Sequence, residues 1–333
     1  MGAIDVHTHI MPRGWDAFLA RHADPRWPRI VREERGGCSL YRGSERDRGL
    51  TEQVFDPNLR VADLDRLGIE RQVLSPPPLM FCYWAEAAAA AEFCRLHNDA
   101  IAEVVAANPS RFLGAAIVPL QAPALAVKEL ERVARLGFRC VEIGSSVDGR
   151  DLDNAALGPV WDAADALDIA LFVHPAAPVL GIERVRTYNL PLVLGNPLET
   201  ALTITRVIYG GLLDRWPRLR WCFAHGGGAF AFVVGRVDRG WAVMPEGKAA
   251  VPCPPSAYAR RFWVDSITHS GPGLRFILDT HGADRVVLGS DYPFRMGYDD
   301  PVKSLDETPL DPATRQRILE TNAQQFLGLR PGQ

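Results

Sequence analysis

The first stretch able to do chemistry is Ala3-Ile4-Asp5-Val6-His7-Thr8-His9-Ile10, where two imidazoles stand one residue apart. Ile4, Val6 and Ile10 alternate with Asp5, His7 and His9, the period-two pattern of a strand. On a strand, His7 and His9 project to the same side roughly 6 to 7 Å apart, close enough for both to bind one ion at about 2 Å. A lone pair of this kind is equally the mark of capped core or surface histidines, so its meaning depends on further polar groups. Three later apolar runs end abruptly in such groups: His174-Pro175, His225-Gly226-Gly227-Gly228 and Ser290-Asp291-Tyr292-Pro293.

Brought to one place, His7, His9, His174 and Asp291 form a nitrogen and oxygen donor set suited to one Zn²⁺ with positions left open; another divalent metal would also fit. Asp291 then serves both as ligand and as part of the catalytic machinery. His225 is expected to act as general acid/base, exchanging a proton with a water whose pKa the ion lowers toward 7. The three glycines after His225 resemble an oxyanion motif, but the chain has no G-x-S-x-G elbow. They are expected to carry the backbone close to the site and to open a helix at Ala229 whose free amides face a substrate anion. His22, His97, His269 and His281 read as surface or locally hydrogen-bonded residues, with His269 placed to edge the site.

Such a site needs a frame that gathers strand ends. Strand-like runs recur at 71–77, 112–120, 138–144, 169–175, 219–227, 261–267 and 285–293, with helical patterns at 83–107 and 122–137 and between the later runs. Counting the first, there are eight candidate strands, most of them apolar throughout, as in a parallel sheet covered by helices. The expected fold is an α/β (β/α)8 TIM barrel, one domain over 1–333, whose chemistry lies at the C-terminal strand ends. Residues 11–60, rich in Arg, Gly and Pro, read as an irregular insertion over the mouth.

The chain has 333 residues, 47% of them hydrophobic, and a formal net charge of -3. That is enough apolar material for a full core, and no basic run points to nucleic acid. No apolar stretch of about eighteen residues points to a membrane. The early entry into a strand, without a leader pattern, leads to the expectation of a cytoplasmic protein. Six cysteines lack any CxxC spacing and are expected to be reduced, with Cys140 and Cys222 in the core.

At these strand ends the sequence resembles the amidohydrolase superfamily, and within it the aminocarboxymuconate-semialdehyde decarboxylase family. The likeness spans nearly the whole chain, through "DVHTHIMP", "PLMFCYWA", "PLQAPALAVKELERV", "LFVHP", "CFAHGGGAFAFVVGRV" and "LGSDYPF". It implies a zinc-dependent, non-oxidative decarboxylase acting on a small unsaturated or aromatic carboxylate. It further implies that Arg48 holds a substrate carboxylate, that Arg42 stands near the substrate, and that Arg236 reaches into the neighbouring site of a homodimer. Three departures bear on the substrate: Ala176-Ala177 replace an aromatic and an acid beside a ligand, Leu192 replaces a tryptophan, and Glu142 stands where a neutral amide is usual. Glu142 could instead bridge to a second metal. Hydrolysis or hydration of a related lactone, amide or ring-cleavage product is the alternative chemistry, and a non-catalytic binding protein would require a broken donor set, which this is not.

Overall fold

The computed structural model describes residues 2–34, 36–176, 182–185 and 187–329. Its strands are β1 (Ala3–His9), β2 (Pro28–Arg32), β3 (Cys38–Arg42), β4 (Glu45–Leu50), β5 (Ile69–Ser75), β6 (Phe112–Ala116), β7 (Cys140–Gly144), β8 (Ser146–Val147), β9 (Arg150–Asp151), β10 (Ala170–His174), β11 (Trp221–Phe223), β12 (Trp263–Asp265) and β13 (Val286–Val287). Eight of them form one sheet in the order β1-β5-β6-β7-β10-β11-β12-β13, every neighbouring pair parallel. The ends of that sheet meet: Val6 N donates to Leu288 O at 3.0 Å, His9 N to Tyr292 O at 2.7 Å and Asp291 N to His7 O at 2.8 Å. The result is a nearly closed (β/α)8 barrel.

Two apolar layers hold it. Ile4, Val73, Cys140, Phe172, Cys222 and Val287 fill the interior, as inward residues of small barrels do. A larger cluster packs the outer strand faces against helices. The principal helices are α1 (Asp16–Arg21), α2 (Pro57–Leu67), α3 (Ala87–Ala107), α4 (Pro123–Arg135), α5 (Gly158–Ala166), α6 (Asn196–Tyr209), α7 (Leu212–Arg215), α8 (Phe230–Val243), α9 (Pro245–Ala250) and α10 (Gly271–His281). Helix α4 shows the logic: Ala126, Leu130 and Val133 recur at helical spacing and are fully buried. Leu130 alone contributes roughly 1.5–3 kcal/mol by leaving water. Helix α2 starts where the Asp56 side chain accepts from Asn58 N and stops at Gly68, whose φ of 67° suits glycine.

The region read as irregular is not so. Within 11–60 lie α1 and a three-stranded antiparallel sheet, β2-β3-β4. Its strands escape a pattern search because they carry charge on exposed positions, as in Glu45-Arg46-Asp47-Arg48-Gly49-Leu50, where no residue is buried. Among the described residues no helix is long and apolar enough to cross a membrane. All six cysteines are unpaired, with Cys140 and Cys222 buried.

Candidate active site

Parallel register brings the polar strand ends to one level. His9 lies opposite Ser75, and His174 opposite Gly144. Ligand atoms of His7, His9, His174 and Asp291 all lie within 4.8 Å of one another, and all four residues are buried. That separation is slightly wider than the span of about 4 Å across an ion with bonds of about 2 Å. His9 Nε2 approaches Asp291 Oδ1 at 3.2 Å and His7 Nε2 approaches it at 3.6 Å.

The outer ring nitrogens are tied elsewhere, which decides where the inner ones point. His7 Nδ1 pairs with Asp265 Oδ2 at 2.7 Å, and His174 Nδ1 with the carbonyl of Pro175 at 2.7 Å. His9 Nδ1 has Ser75 Oγ at 3.4 Å and Glu142 Oε2 at 4.0 Å. Donation from Nδ1 fixes the tautomer that offers Nε2 to a cation. His7 Nε2 and His9 Nε2 are buried without hydrogen-bond partners, a costly arrangement unless something binds there. The donor set therefore fits one divalent cation.

Electrostatics sharpen the picture. Burial works against a charged His7, yet the Asp265 hydrogen bond and the surrounding carboxylates raise it to about 9. Burial lowers His9 to about 4 and drives His174 well below its ordinary value, the other imidazoles adding to the effect. Asp291 is buried, but the closeness of His9 and the other imidazoles holds it far below the usual carboxylate range. A cation has to displace a proton from His7 to bind, so metal binding and proton release are linked.

His225 sits beside the cluster, its ring centroid 4.8 Å from His174 and 5.2 Å from His7. Its Nδ1 is buried and unpartnered, and burial lowers its pKa. His225 and Asp291 both have positive φ, 57° and 61°, strained geometry of the kind that gathers at functional sites. The three following glycines have φ of 62°, 73° and 60°, and a Cβ at Gly228 would lie 2.2 Å from Pro197 O. Close passage of the backbone is thus their role. The amides just after His225 are taken within the chain: His225 N and Gly226 N donate to Asp265 at 2.9 and 2.8 Å, and Gly227, Gly228 and Ala229 N bond to carbonyls. Helix α8 begins at Phe230.

Asp265, which the sequence reading passed over, thus anchors the site. It accepts from His7, His225, Gly226 and Ile267 while fully buried. Its signal was a lone acid at the end of an apolar strand, Trp263-Val264-Asp265. Asp5 plays a similar part between strands, accepting from Ser290 Oγ at 2.5 Å and His7 N at 3.2 Å.

Arg42 and Arg48 line the cavity that opens on His9, His174, His225 and Asp291, together with Asp47, Asn196 and Phe294. Arg48 Nε holds Asp47 at 2.5 Å, and its guanidinium lies 4.6 Å from the Phe294 ring. Arg236 is elsewhere, exposed on α8 and absent from the linings of the site cavity and of the larger cavity beside it. Glu142 is fully buried, with neither carboxylate oxygen bonded, and burial pushes it up to about 8. It is not among the convergent donors of the described residues. Ala176 and Leu192 both line the cavity; Ala177 lies outside the described residues. His269 edges an adjoining cavity as expected, and His97 and His281 are buried with the local bonds the reading allowed, Nδ1 to Phe93 O and to Ala259 O.

These features define a barrel with a metal-type centre at its strand ends, and comparison with known proteins gives it a family. The amidohydrolase family model matches residues 4–329. A 2-amino-3-carboxymuconate-6-semialdehyde decarboxylase from Dictyostelium discoideum is 37% identical over 98% of this chain and 92% of its own. A gamma-resorcylate decarboxylase from Polaromonas sp. is 31% identical over 81% of this chain and 86% of its own. Among solved structures, a dihydroxybenzoic acid decarboxylase from Polaromonas sp. JS666, with bound manganese and the inhibitor 2-nitroresorcinol, superposes with a TM-score of 0.82. It is 25% identical, covering 99% of this chain and 98% of that one. The chain belongs to the amidohydrolase family.

Proposed function

We propose that this protein is a metal-dependent, non-oxidative decarboxylase of a small aromatic or unsaturated carboxylate. The observation that carries the reading is the convergence of His7, His9, His174 and Asp291 with two unpartnered imidazole nitrogens, in a chain similar to decarboxylases along almost its full length. His7, His9, His174 and Asp291 would hold one Zn²⁺, or manganese as in the dihydroxybenzoate enzyme. When bound, such an ion supplies Lewis-acid chemistry, polarising a substrate oxygen and lowering the pKa of a water.

The remaining steps belong to the chain. Arg48, stacked on Phe294, and Arg42 orient the substrate carboxylate and compensate its charge. His225, which lines the cavity with its ring 4.8 Å from that of His174, holds and returns the proton that must reach the carbon losing CO₂. Asp265 fixes both His7 and the backbone of His225, keeping proton carrier and donors in register.

The working unit in this proposal is a homodimer in a reducing, cytoplasmic setting. Arg236 is exposed on α8, and Phe232, one turn earlier, is 83% exposed. An apolar ring left so open fits a face covered by a second copy, which would carry Arg236 to the neighbouring site. Mixing inactive Arg236→Ala with inactive His225→Asn should then restore part of the activity.

The direct test is CO₂ release from 2,6-dihydroxybenzoate and from aminocarboxymuconate semialdehyde, with and without a chelator. Turnover that stops on chelation, with a product lighter by one CO₂, is expected. A product heavier by one water would select the hydrolase or hydratase alternative.

A further inference from the structure

The cavity that opens on the imidazoles is small, about 90 Å³, below the roughly 300 Å³ at which pockets for drug-sized ligands begin. A ring acid held there must extend into a neighbouring space. Two adjoin it. One, of about 350 Å³, shares Leu192, Asn196, His225 and Asp291 with the first and is walled by apolar side chains such as Phe232, Ile267, Phe276 and Met296. It contains no arginine or lysine, and its rim residue Phe232 is the one expected to meet a second copy.

The other, of about 220 Å³, shares Arg42, Pro78, Leu79 and Ala176 with the small cavity and continues to Phe81, Tyr83, Trp84 and Arg26. Its walls are flat. The Phe81 and Tyr83 rings are nearly parallel, 11° apart with centroids at 5.6 Å, and the Arg26 guanidinium lies 4.1 Å from the Trp84 ring. Charge is largely balanced within it. Asp24 clamps Arg26 through bonds of 3.0 and 2.6 Å, and Asp148 also lines the space. Arg42, at the junction, has no ion-pair partner among the described residues. Planar walls with balanced charge favour a hydrocarbon ring, and a free guanidinium at the entrance favours an oxygen anion on the substrate side. Ala176 lines both cavities, and its methyl is the smallest side chain on the wall they share.

We propose that the chamber bounded by Arg42, Ala176, Phe81, Tyr83 and Trp84 binds the distal part of an extended planar acid. The substrate class is a fused-ring or aryl-substituted aromatic carboxylate whose leaving carboxylate faces His174 and His225. This rests on the decarboxylase reading and deepens it: a monocyclic acid leaves the chamber empty, an extended one fills it.

The test uses manganese-loaded protein and a matched pair of acids in which the carboxylate lies between two hydroxyls. These are 2,6-dihydroxybenzoate and 1,3-dihydroxy-2-naphthoate, which differ by one fused ring. Burying that ring should make the naphthoate bind about tenfold more tightly. Ala176→Trp, which blocks the junction, and Ser146→Trp, which fills the chamber from its far wall, should each abolish the preference. Equal affinity of wild-type protein for the two acids, or a preference that survives both variants, overturns the chamber and leaves the decarboxylase reading standing. Failure to bind either acid overturns this inference, and failure to decarboxylate these two acids and aminocarboxymuconate semialdehyde alike overturns the decarboxylase reading with it. Should one tryptophan variant fail to fold, the wild-type ratio and the other variant still decide.

Discussion

His97 and His281 are as deeply buried as His7 and His9, and each also has a ring nitrogen without a partner. Yet they sit in a different world. His97 Nδ1 bonds to Phe93 O at 3.0 Å with Trp15 and Phe93 around it, and His281 Nδ1 bonds to Ala259 O at 2.8 Å beside Phe230 and Phe262. Among the described residues, no carboxylate or second imidazole is paired with the free nitrogen of either. At the barrel mouth the free nitrogens of His7 and His9 face the same carboxylate, Asp291. Burial and an empty lone pair are therefore common to core and site. What separates them is convergence, which only the parallel register of strand ends supplies.

Removing the shared carboxylate should break the contrast most severely. Asp291→Ala is expected to release the metal, measured by elemental analysis, and to return turnover to background, a loss of at least about 10⁶-fold. Next comes the support behind the donors. Asp265→Asn keeps shape but weakens the acceptor for His7, and metal affinity measured by competition with a chelator should fall about 10- to 100-fold. If affinity is unchanged, Asp265 serves the backbone turn at His225 alone.

The smallest effect on function is expected in the core. His97 and His281 are each lowered by burial to about 4, so the unfolded chain binds more protons than the folded one between 6.5 and 4. Their contribution is fully present above pH 6.5 and is lost as pH falls toward 4, about 3 kcal/mol for each. Urea unfolding of metal-free His97→Phe and His281→Phe against pH should show a shallower acid loss than wild type. Turnover of the metal-loaded variants should stay within about twofold of wild type, since surface and core changes away from a site act on stability.

The barrel was legible because buried parallel strands read as apolar runs, and the four donors because each interrupts such a run at its end. The β2-β3-β4 sheet was not, since its charged strands carry no apolar alternation. Asp265 was overlooked for a related reason. A single acid in Trp263-Val264-Asp265 gives no spacing to measure, and its partners lie 258 and 40 residues away in the chain. That Asp265 and nearby carbonyls take the amides from His225 to Ala229 was equally out of reach, since sequence shows a helix start but not its tertiary acceptors.

One measurement bears most directly on the central claim, that a single cation gathers four donors from strands far apart in sequence. Metal-stripped protein is titrated with Zn²⁺ or Mn²⁺ while CO₂ release and bound metal are followed together, and the end point is crystallised for anomalous scattering. Activity should rise linearly to one ion per chain, with the scattering peak within bonding distance of His7, His9, His174 and Asp291. Full turnover in the stripped protein, or a peak bound away from these four residues, would contradict the account.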